Sequence, residues 1–466
     1  MTSRVAGVAR ERYECPECGL RLPFEFPLFK CPRCGSPLLI AYDLDAAREA
    51  MGHAGRGNRG VWQFESLLPS VSVKVSLGEG GTPLRRARRL GAELGLKNLL
   101  IKDETRNPTG SFIDRGSTVL LSLIRDRGYR ATVVTRGGNL AASVAAYASA
   151  AGVECYVASL RPYDIVKVYQ VVAYGGKLLE PPPVSGTYEV EPGDPALIEG
   201  YKTMALELLQ QERIDAIVMP VGSGTLMTSV WKAARELQEL GALEEVPRLY
   251  GVQSAAWDPI VGALRGREPP SGEPPNDAIA SDLVFRSPPR ARDAVRAIVE
   301  SGGSAISVLE HEILCGLELL ARSEGILAEP SAAVAVSGLA KLVENGEVGS
   351  SEVVVLVVTG SGLKAVSAVA KRLLKGFVLS SEAPSRGLGR TKREILRVVA
   401  ALGEVHGYEL WRILSRSGLS LSKAAVYKHL ADLERMGLLR RRAQGRAVKY
   451  LLTRDGALAL QAIEVD

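Results

Sequence analysis

Two kinds of chemistry-bearing residue stand out along this chain. Cys15 and Cys18 in CPEC, and Cys31 and Cys34 in CPRC, form two CxxC pairs with twelve residues between them. Each pair can fold into a knuckle that aims two thiolates at one point, and two knuckles complete a tetrahedron around Zn²⁺. The proline inside each pair and the glycine after it suit such turns. A disulfide framework would need an oxidising compartment, and a thioredoxin-like redox site would need one pair, so a structural zinc ribbon is expected. Cys155 and Cys315 lie in apolar surroundings and are expected as buried packing residues. The second kind is a set of glycine turns, each placed between an apolar run and a helical pattern: NPTGSFIDRG (Asn107–Gly116), TRGGNLAAS (Thr135–Ser143) and PVGSGTLMTS (Pro220–Ser229). Free N–H groups and the helix dipole at such junctions hold phosphates and carboxylates. One such turn is weak evidence. Three in one domain, at strand ends where open sheets take ligands, are strong. The first turn carries an oddity at its centre, the inert aliphatic Ile113.

The elements that must position these groups follow from the hydropathy pattern. From about residue 75 to 376, apolar runs such as LLIKDE, ATVVTR, ECYVASL, AIVMPVG, RLYGVQ and EVVVLVVTG alternate with amphipathic stretches. Continuous apolar strands alternating with helices predict a parallel α/β sheet covered on both faces, and about 300 residues predict two lobes with a cleft. Residues 1–50 hold the ribbon. Residues 377–390, rich in Ser, Pro, Gly and Arg, read as a linker before a last domain at 391–466. The longest apolar runs are too short to cross a bilayer, and the start of the chain lacks a signal-peptide core, so a cytoplasmic protein without membrane contact is expected.

NPTGSF-x-DRG, the GGN turn before AASVAAYA, IEGYKTMALEL, VPRLYGVQ, EGILAEPSAA and VVTGSGLK together resemble threonine synthases, pyridoxal-phosphate (PLP) enzymes of fold type II, the tryptophan-synthase-β type. The resemblance runs from about Tyr13 to Lys375 and includes the ribbon. It implies that Gly222, Ser223, Gly224, Thr225 and Leu226 cradle the cofactor phosphate. Asn139 would meet the phenolic oxygen and Thr359 the pyridine nitrogen, with Glu329–Ala332 forming a wall. Ser111, Arg136, Gly137 and Gly138 would face the substrate. The position of the Schiff-base lysine is Ile113, so no catalytic residue is expected. Arg136 and Gly137 stand where small hydroxyl residues are usual, and Thr225 where a glycine is. Arg136 could clamp an anion bidentately or point to solvent. Lys102 and Lys202 match ordinary family positions and read as structural. PLP could still bind non-covalently or as an adduct, as could an amino-acid-like or phosphorylated ligand.

The net charge of +6 is concentrated at the C-terminus. Residues 391–466 hold 14 Lys and Arg against 8 Asp and Glu, and the rest of the chain balances at 44 of each. There, TKREILRVVAALGE, GYELWRILSRSG and SLSKAAVYKHLADLERMG read as three helices, followed by two β-like runs in RRRAQGRAVKYLLT. GEVHGYELWRIL and SKAAVYKHLADLERMGLL resemble the winged helix-turn-helix of PadR-type transcriptional regulators. Val426, Leu430 and Leu433 give the third helix its core face, leaving Ser422, Lys423, Tyr427 and Lys428 for a DNA groove. Arg440, Arg441, Arg442, Arg446 and Lys449 would line the wing. Protein contact or dimerisation is the other use of such a domain. His406 and His429 are expected in helical, apolar settings. The resulting expectation is a homodimeric, ligand-sensing DNA-binding regulator of amino-acid metabolism. The alternatives are a threonine-synthase-like lyase acting on O-phosphohomoserine with a regulatory winged helix, and a structural partner of an active homologue.

Overall fold

The computed structural model describes residues 11–51, 60–161, 164–183, 185–268, 270–275, 278–366, 390–416, 421–444, 447–453 and 456–457. The chain divides into two compact units, Met1–Val369 and Ala370–Asp466. The linker expected at 377–390 lies outside the described residues except for Arg390, which begins a helix.

The first unit starts with a small antiparallel sheet of β1 (Arg12–Glu14), β2 (Arg21–Pro23) and β3 (Leu39–Ala41), with β1 in the middle. Tyr13, Leu38 and Ile40 on it are buried in the same core as the following domain. Phe26 stacks on Tyr188 at 4.9 Å, and the buried Arg290 guanidinium donates to Leu38 O. Arg296 adds a second guanidinium, donating to Pro16 O and pairing with Glu17, so the ribbon is welded to the α/β body by apolar burial and two charged donors.

That body holds two sheets. β4 (Leu84–Arg86) and β5 (Asn98–Asp103) open the chain's path, and β6 (Ala131–Val134), β7 (Glu154–Val157), β8 (Lys177–Leu178) and β9 (Thr187–Val190) form a four-stranded parallel sheet in the order β8-β7-β6-β9. β10 (Ala216–Pro220), β11 (Arg248–Ser254), β12 (Ala305–Val308) and β13 (Val353–Val358) join the first two in a six-stranded sheet ordered β12-β11-β10-β13-β5-β4. Only β4 runs antiparallel there. The β-branched run VVVLVV of β13 is buried at five of six positions, as a strand covered on both faces requires. This is the two-lobed parallel α/β architecture expected.

The helix Ile113–Asp126, which begins at the odd aliphatic residue, is fixed by an unusually close crossing. A Cβ on Gly200, in helix Pro195–Leu209, would lie 1.8 Å from Arg115 O, so only glycine lets the two backbones meet. Arg115 itself is fully buried and bidentate to both Glu104 and Glu207, and Lys102 completes this network by bonding Glu207 at 2.6 Å and Thr82 O at 2.7 Å. Lys202 is likewise held by Glu199 at 2.6 Å. Cys155 is buried, but Cys315 is exposed, on the face of helix Glu310–Glu324 opposite the buried Ile313, Gly316 and Leu317. Its apolar neighbours in sequence belong to the other side of that helix.

The second unit has helices Arg390–Leu402, Gly407–Arg416 and Lys423–Arg435, and a sheet of β14 (Glu404–His406), β15 (Leu439–Gln444) and β16 (Ala447–Leu452) in the order β14-β16-β15. Ser422 caps the third helix, its hydroxyl accepting from Ala425 N, and Val426, Leu430 and Leu433 are fully buried. His406 is not helical: it ends β14 and its Nδ1 lies 3.0 Å from Val448 O. A third strand pairing onto the wing claims this residue, which periodicity alone had placed in a helix. Among the described residues no helix is long and apolar enough to cross a membrane.

Candidate functional site

The four cysteine sulfurs lie within 4.8 Å of one another, with Cys15 to Cys34 at 3.5 Å and Cys18 to Cys31 at 3.6 Å. A tetrahedron with metal–sulfur bonds of about 2.3 Å has edges of about 3.8 Å. Gly19 and Gly35 close the knuckles, donating to Cys15 O and Cys31 O at φ of +67° and +74°. The cluster fits a zinc ribbon.

The three glycine turns converge. They follow β5, β6 and β10, and residues of all three, with Thr359 after β13, wall a cavity of about 90 Å³. Ile113, Arg136, Gly137, Asn139, Gly222, Ser223, Gly224, Leu226, Glu329 and Thr359 all line it. Ile113 is half-buried on this wall, at the first turn of its helix. Ser111 does not line it: it is buried and bridges to Gly360, while Phe112 N donates to Thr359 O. Gly138, at φ +77°, caps helix Asn139–Ala151 from behind the wall. A Cβ on Gly137 would stand 2.8 Å from the carbonyl of Leu160, so a passing backbone excludes any side chain there. Thr225 does not line the cavity; its hydroxyl donates to Pro192 O at 2.7 Å and accepts from Ser223 Oγ at 2.9 Å. The extra Cβ at this position is thus accommodated outside the cradle.

Residues 281–285 form a strap whose Asp282, Leu283 and Phe285 line the cavity, and nothing in its sequence announces this role. Arg136 does not face solvent. Its guanidinium lies over Phe285 at 3.9 Å and donates to Val284 O at 2.9 Å and Ser281 O at 3.2 Å. Asn139 N donates to Asp282 Oδ1 at 3.2 Å, so a carboxylate of the chain itself sits at the N-terminus of helix Asn139–Ala151. Lys167 pairs with that same carboxylate and stands 3.1 Å from Glu329 Oε2. Asn139 Nδ2 donates to Glu329 Oε1 at 2.7 Å, and this carboxylate partner fixes the amide's orientation, leaving Asn139 Oδ1 buried with no donor. Burial opposes the charge on Lys167, but Asp282 and Glu329 outweigh it and hold its pKa above the usual value. Burial pushes Glu329 up, with Lys167 pulling the other way.

Lys364 is a further residue that pattern reasoning missed. It is 3% exposed, its Cδ lies 3.3 Å from the point where a Gly110 Cβ would be, and its Nζ has no hydrogen-bond partner. Burial lowers its pKa to about 8, against the upward pull of Asp114 and Glu329.

In the second unit, Ser422, Lys423, Tyr427 and Lys428 are exposed along the third helix, and Arg440, Arg441 and Arg442 along β15. Arg441 pairs with Glu434 at 2.8 Å and Lys449 with Glu404 at 2.5 Å, so part of the wing's charge is neutralised locally. Arg446 lies outside the described residues.

Comparison with known proteins agrees with this architecture. Residues 75–360 match the model of the family described as pyridoxal-phosphate dependent enzyme, and residues 395–462 that of the transcriptional regulator PadR-like family. The threonine synthase of Methanocaldococcus jannaschii is 35% identical over 380 residues, covering 75% of this chain and 92% of that protein. That of Methanosarcina acetivorans is 34% identical, covering 75% and 91%. Among solved structures, a fungal L-serine ammonia-lyase from Rhizomucor miehei superposes with a TM-score of 0.54 at 21% identity, over 63% of this chain and 98% of that one, which shows the shared fold.

Proposed function

We propose that the chain, which belongs to the pyridoxal-phosphate dependent enzyme family through residues 75–360 and carries a PadR-like domain behind it, is a ligand-sensing, DNA-binding transcriptional regulator of amino-acid metabolism. The observation that carries this reading is Ile113: it lines the cavity at the position where the family resemblance puts the amine. Isoleucine has no nucleophile and no titratable proton, so the two duties of that amine, holding the cofactor covalently and moving protons, have no agent at residue 113.

The cavity wall suits non-covalent PLP in part. Among the described residues the amides of Gly222, Ser223 and Gly224 have no acceptor, and Asn139 and Thr359 face the same space. The turn would hold the phosphate, and Asn139 and Thr359 the ring's two polar ends. PLP, when bound, supplies an electron sink for charge developing on an amino-acid carbon. The chain's own contribution is to orient such a ligand, keep water out beneath the strap, and balance charge through Lys167, Asp282 and Glu329. A zinc ion in the four-cysteine cluster and a homodimer complete the proposal.

The reading is tested by retention of a DNA fragment carrying the gene's own promoter, at several salt concentrations, with and without PLP and O-phosphohomoserine. Salt-dependent binding that one of these ligands shifts supports it; absence of binding at low salt removes it. A second reading, a lyase forming threonine from O-phosphohomoserine, is favoured by the 35% identity to a threonine synthase over 92% of its length. Phosphate release from O-phosphohomoserine would establish it.

A further inference from the structure

The glycine turn at residues 222–224 is held from behind by one residue. Ser223 O accepts from Arg290 N at 2.9 Å, and a Cβ on Gly224 would stand 2.5 Å from Arg290 O. The turn is thus pressed on the Arg290 backbone. The Arg290 side chain is fully buried and divides its donors among three separate parts of the chain. Nη2 donates to Leu38 O at 2.7 Å, Nε to Gly193 O at 2.9 Å and Nη1 to Asp293 Oδ2 at 3.1 Å. Leu38 belongs to the ribbon, just past Cys34 and Gly35 of the second knuckle. Gly193 follows Pro192, a cavity-lining residue whose carbonyl takes the Thr225 hydroxyl at 2.7 Å. Arg290 is also the N-cap of helix Ala291–Glu300, and Arg296 in that helix donates to Pro16 O, inside the first knuckle, at 3.2 Å. Both cysteine pairs therefore brace the one helix whose N-cap backs the glycine turn.

We infer that Arg290 is a positioning residue that couples the ribbon to this turn, so that zinc in the four-cysteine cluster tightens the cavity's grip on a phosphate-bearing ligand. A guanidinium keeps its charge even when buried, and each acceptor it loses leaves a charged donor unpaired. While the knuckles are closed, Leu38 O is one of its three acceptors, and the Arg290 backbone is fixed against Ser223 and Gly224. Metal loss frees the knuckles, and with them Leu38 O. The guanidinium then has to find another acceptor, and its backbone moves with it. The turn's amides converge on an anion only while Arg290 N holds Ser223 O. Asn139 and Thr359 bond neither the ribbon nor Arg290 among the described residues, so the part of a ligand that they meet should be indifferent to zinc. Linkage makes the effect reciprocal: the factor that zinc adds to ligand affinity, the ligand adds to zinc affinity.

This inference rests on the reading of the turn as an anion site, and one experiment separates the two. The full-length protein, zinc-loaded and chelator-stripped, is titrated calorimetrically with pyridoxine 5′-phosphate, which has no aldehyde, and with pyridoxine, which also lacks the phosphate. Zinc is expected to tighten the phosphate by about tenfold and to leave pyridoxine unchanged. Arg290→Lys, which keeps the charge but cannot reach three acceptors, should bind the phosphate about tenfold more weakly with zinc present and no longer respond to the metal. A second measurement needs no variant: saturating pyridoxine 5′-phosphate should raise the zinc affinity of the wild type by the same factor, read by competition with a chromophoric chelator. Phosphate binding indifferent to zinc, a zinc effect that Arg290→Lys retains, an equal zinc effect on pyridoxine, or zinc affinity that the ligand leaves unchanged would overturn the coupling and leave the anion site standing. No binding of the phosphate to either form would remove the anion site and the coupling with it.

Discussion

The guanidinium carbon of Arg136 lies 3.9 Å from the centre of the Phe285 ring. With its two bonds to strap carbonyls, this contact turns a residue that departs from the family pattern into the hasp of the strap. Arg136→Ser should therefore loosen residues 281–285 rather than merely remove a surface charge. The cation–π contact and the two hydrogen bonds together suggest a loss of roughly 1–3 kcal/mol. Thermal unfolding of the variant, and a double-mutant cycle with Phe285→Ala showing coupling of about 1 kcal/mol, would check it. Additive effects of the two substitutions would show that the contact does not hold the strap.

Much of this architecture was legible in the sequence, and the reason is periodicity. The six apolar runs quoted above all became strands, because a buried parallel strand leaves a continuous run of branched residues. The three glycine turns were legible because each needs backbone that only glycine provides. The strap was not. SDLVF has no period, and the meaning of Asp282 depends on Asn139 and Lys167, which lie more than a hundred residues away in the chain. Lys364 was invisible for another reason, since a lysine in a turn is ordinarily solvated.

Ile113 is half-buried at the start of its helix and faces the cavity. Ile113→Lys should restore an amine to that wall with little disturbance to the helix. After incubation with PLP and borohydride, the variant is expected to carry a reduced adduct on residue 113 that peptide mass spectrometry locates, and the wild type none at that position. A folded variant without the adduct would mean that the wall does not present a carbonyl to the helix start.

Lys364 offers a test through pH. Burial lowers its pKa from 10.5 to about 8, so the unfolded chain binds its proton more readily than the folded one. The amine therefore costs stability below about pH 8, and the cost fades as pH rises toward 10.5. Lys364→Met should raise stability at pH 7 by roughly 2–3 kcal/mol, and by clearly less at pH 10. Denaturant unfolding at the two pH values measures this. A loss at pH 7, or a gain independent of pH, would mean that Asp114 and Glu329 hold the ammonium better than its missing hydrogen bonds suggest.

The ribbon's cysteines should bind one zinc ion per chain, and Cys31→Ser should release it. Because Tyr13, Leu38 and Ile40 are buried with the α/β body, and Arg290 donates to Leu38 O, metal loss should also destabilise that body. Metal analysis with parallel thermal unfolding tests both statements. A variant that loses zinc at unchanged stability would show the ribbon to be an independent module.

For the winged helix the useful contrast lies between two lysines. Lys428 is exposed on the third helix, two residues from both the buried Val426 and Leu430 and so on the opposite face, and forms none of the ion pairs found among the described residues. Lys449 sits on β16 with Glu404 at 2.5 Å, so approach of a phosphate would first have to break or share that pair. If the domain binds DNA with the third helix in the groove, Lys428→Ala should weaken binding across all sequences and reduce the slope of log affinity against log salt by about 1. Lys449→Ala should change that slope less, because the charge it removes is already half spent on a carboxylate. Fluorescence anisotropy across a salt series measures both slopes. Equal slopes for Lys428→Ala and the wild type would take the third helix off the phosphate backbone and leave protein contact as the use of this face.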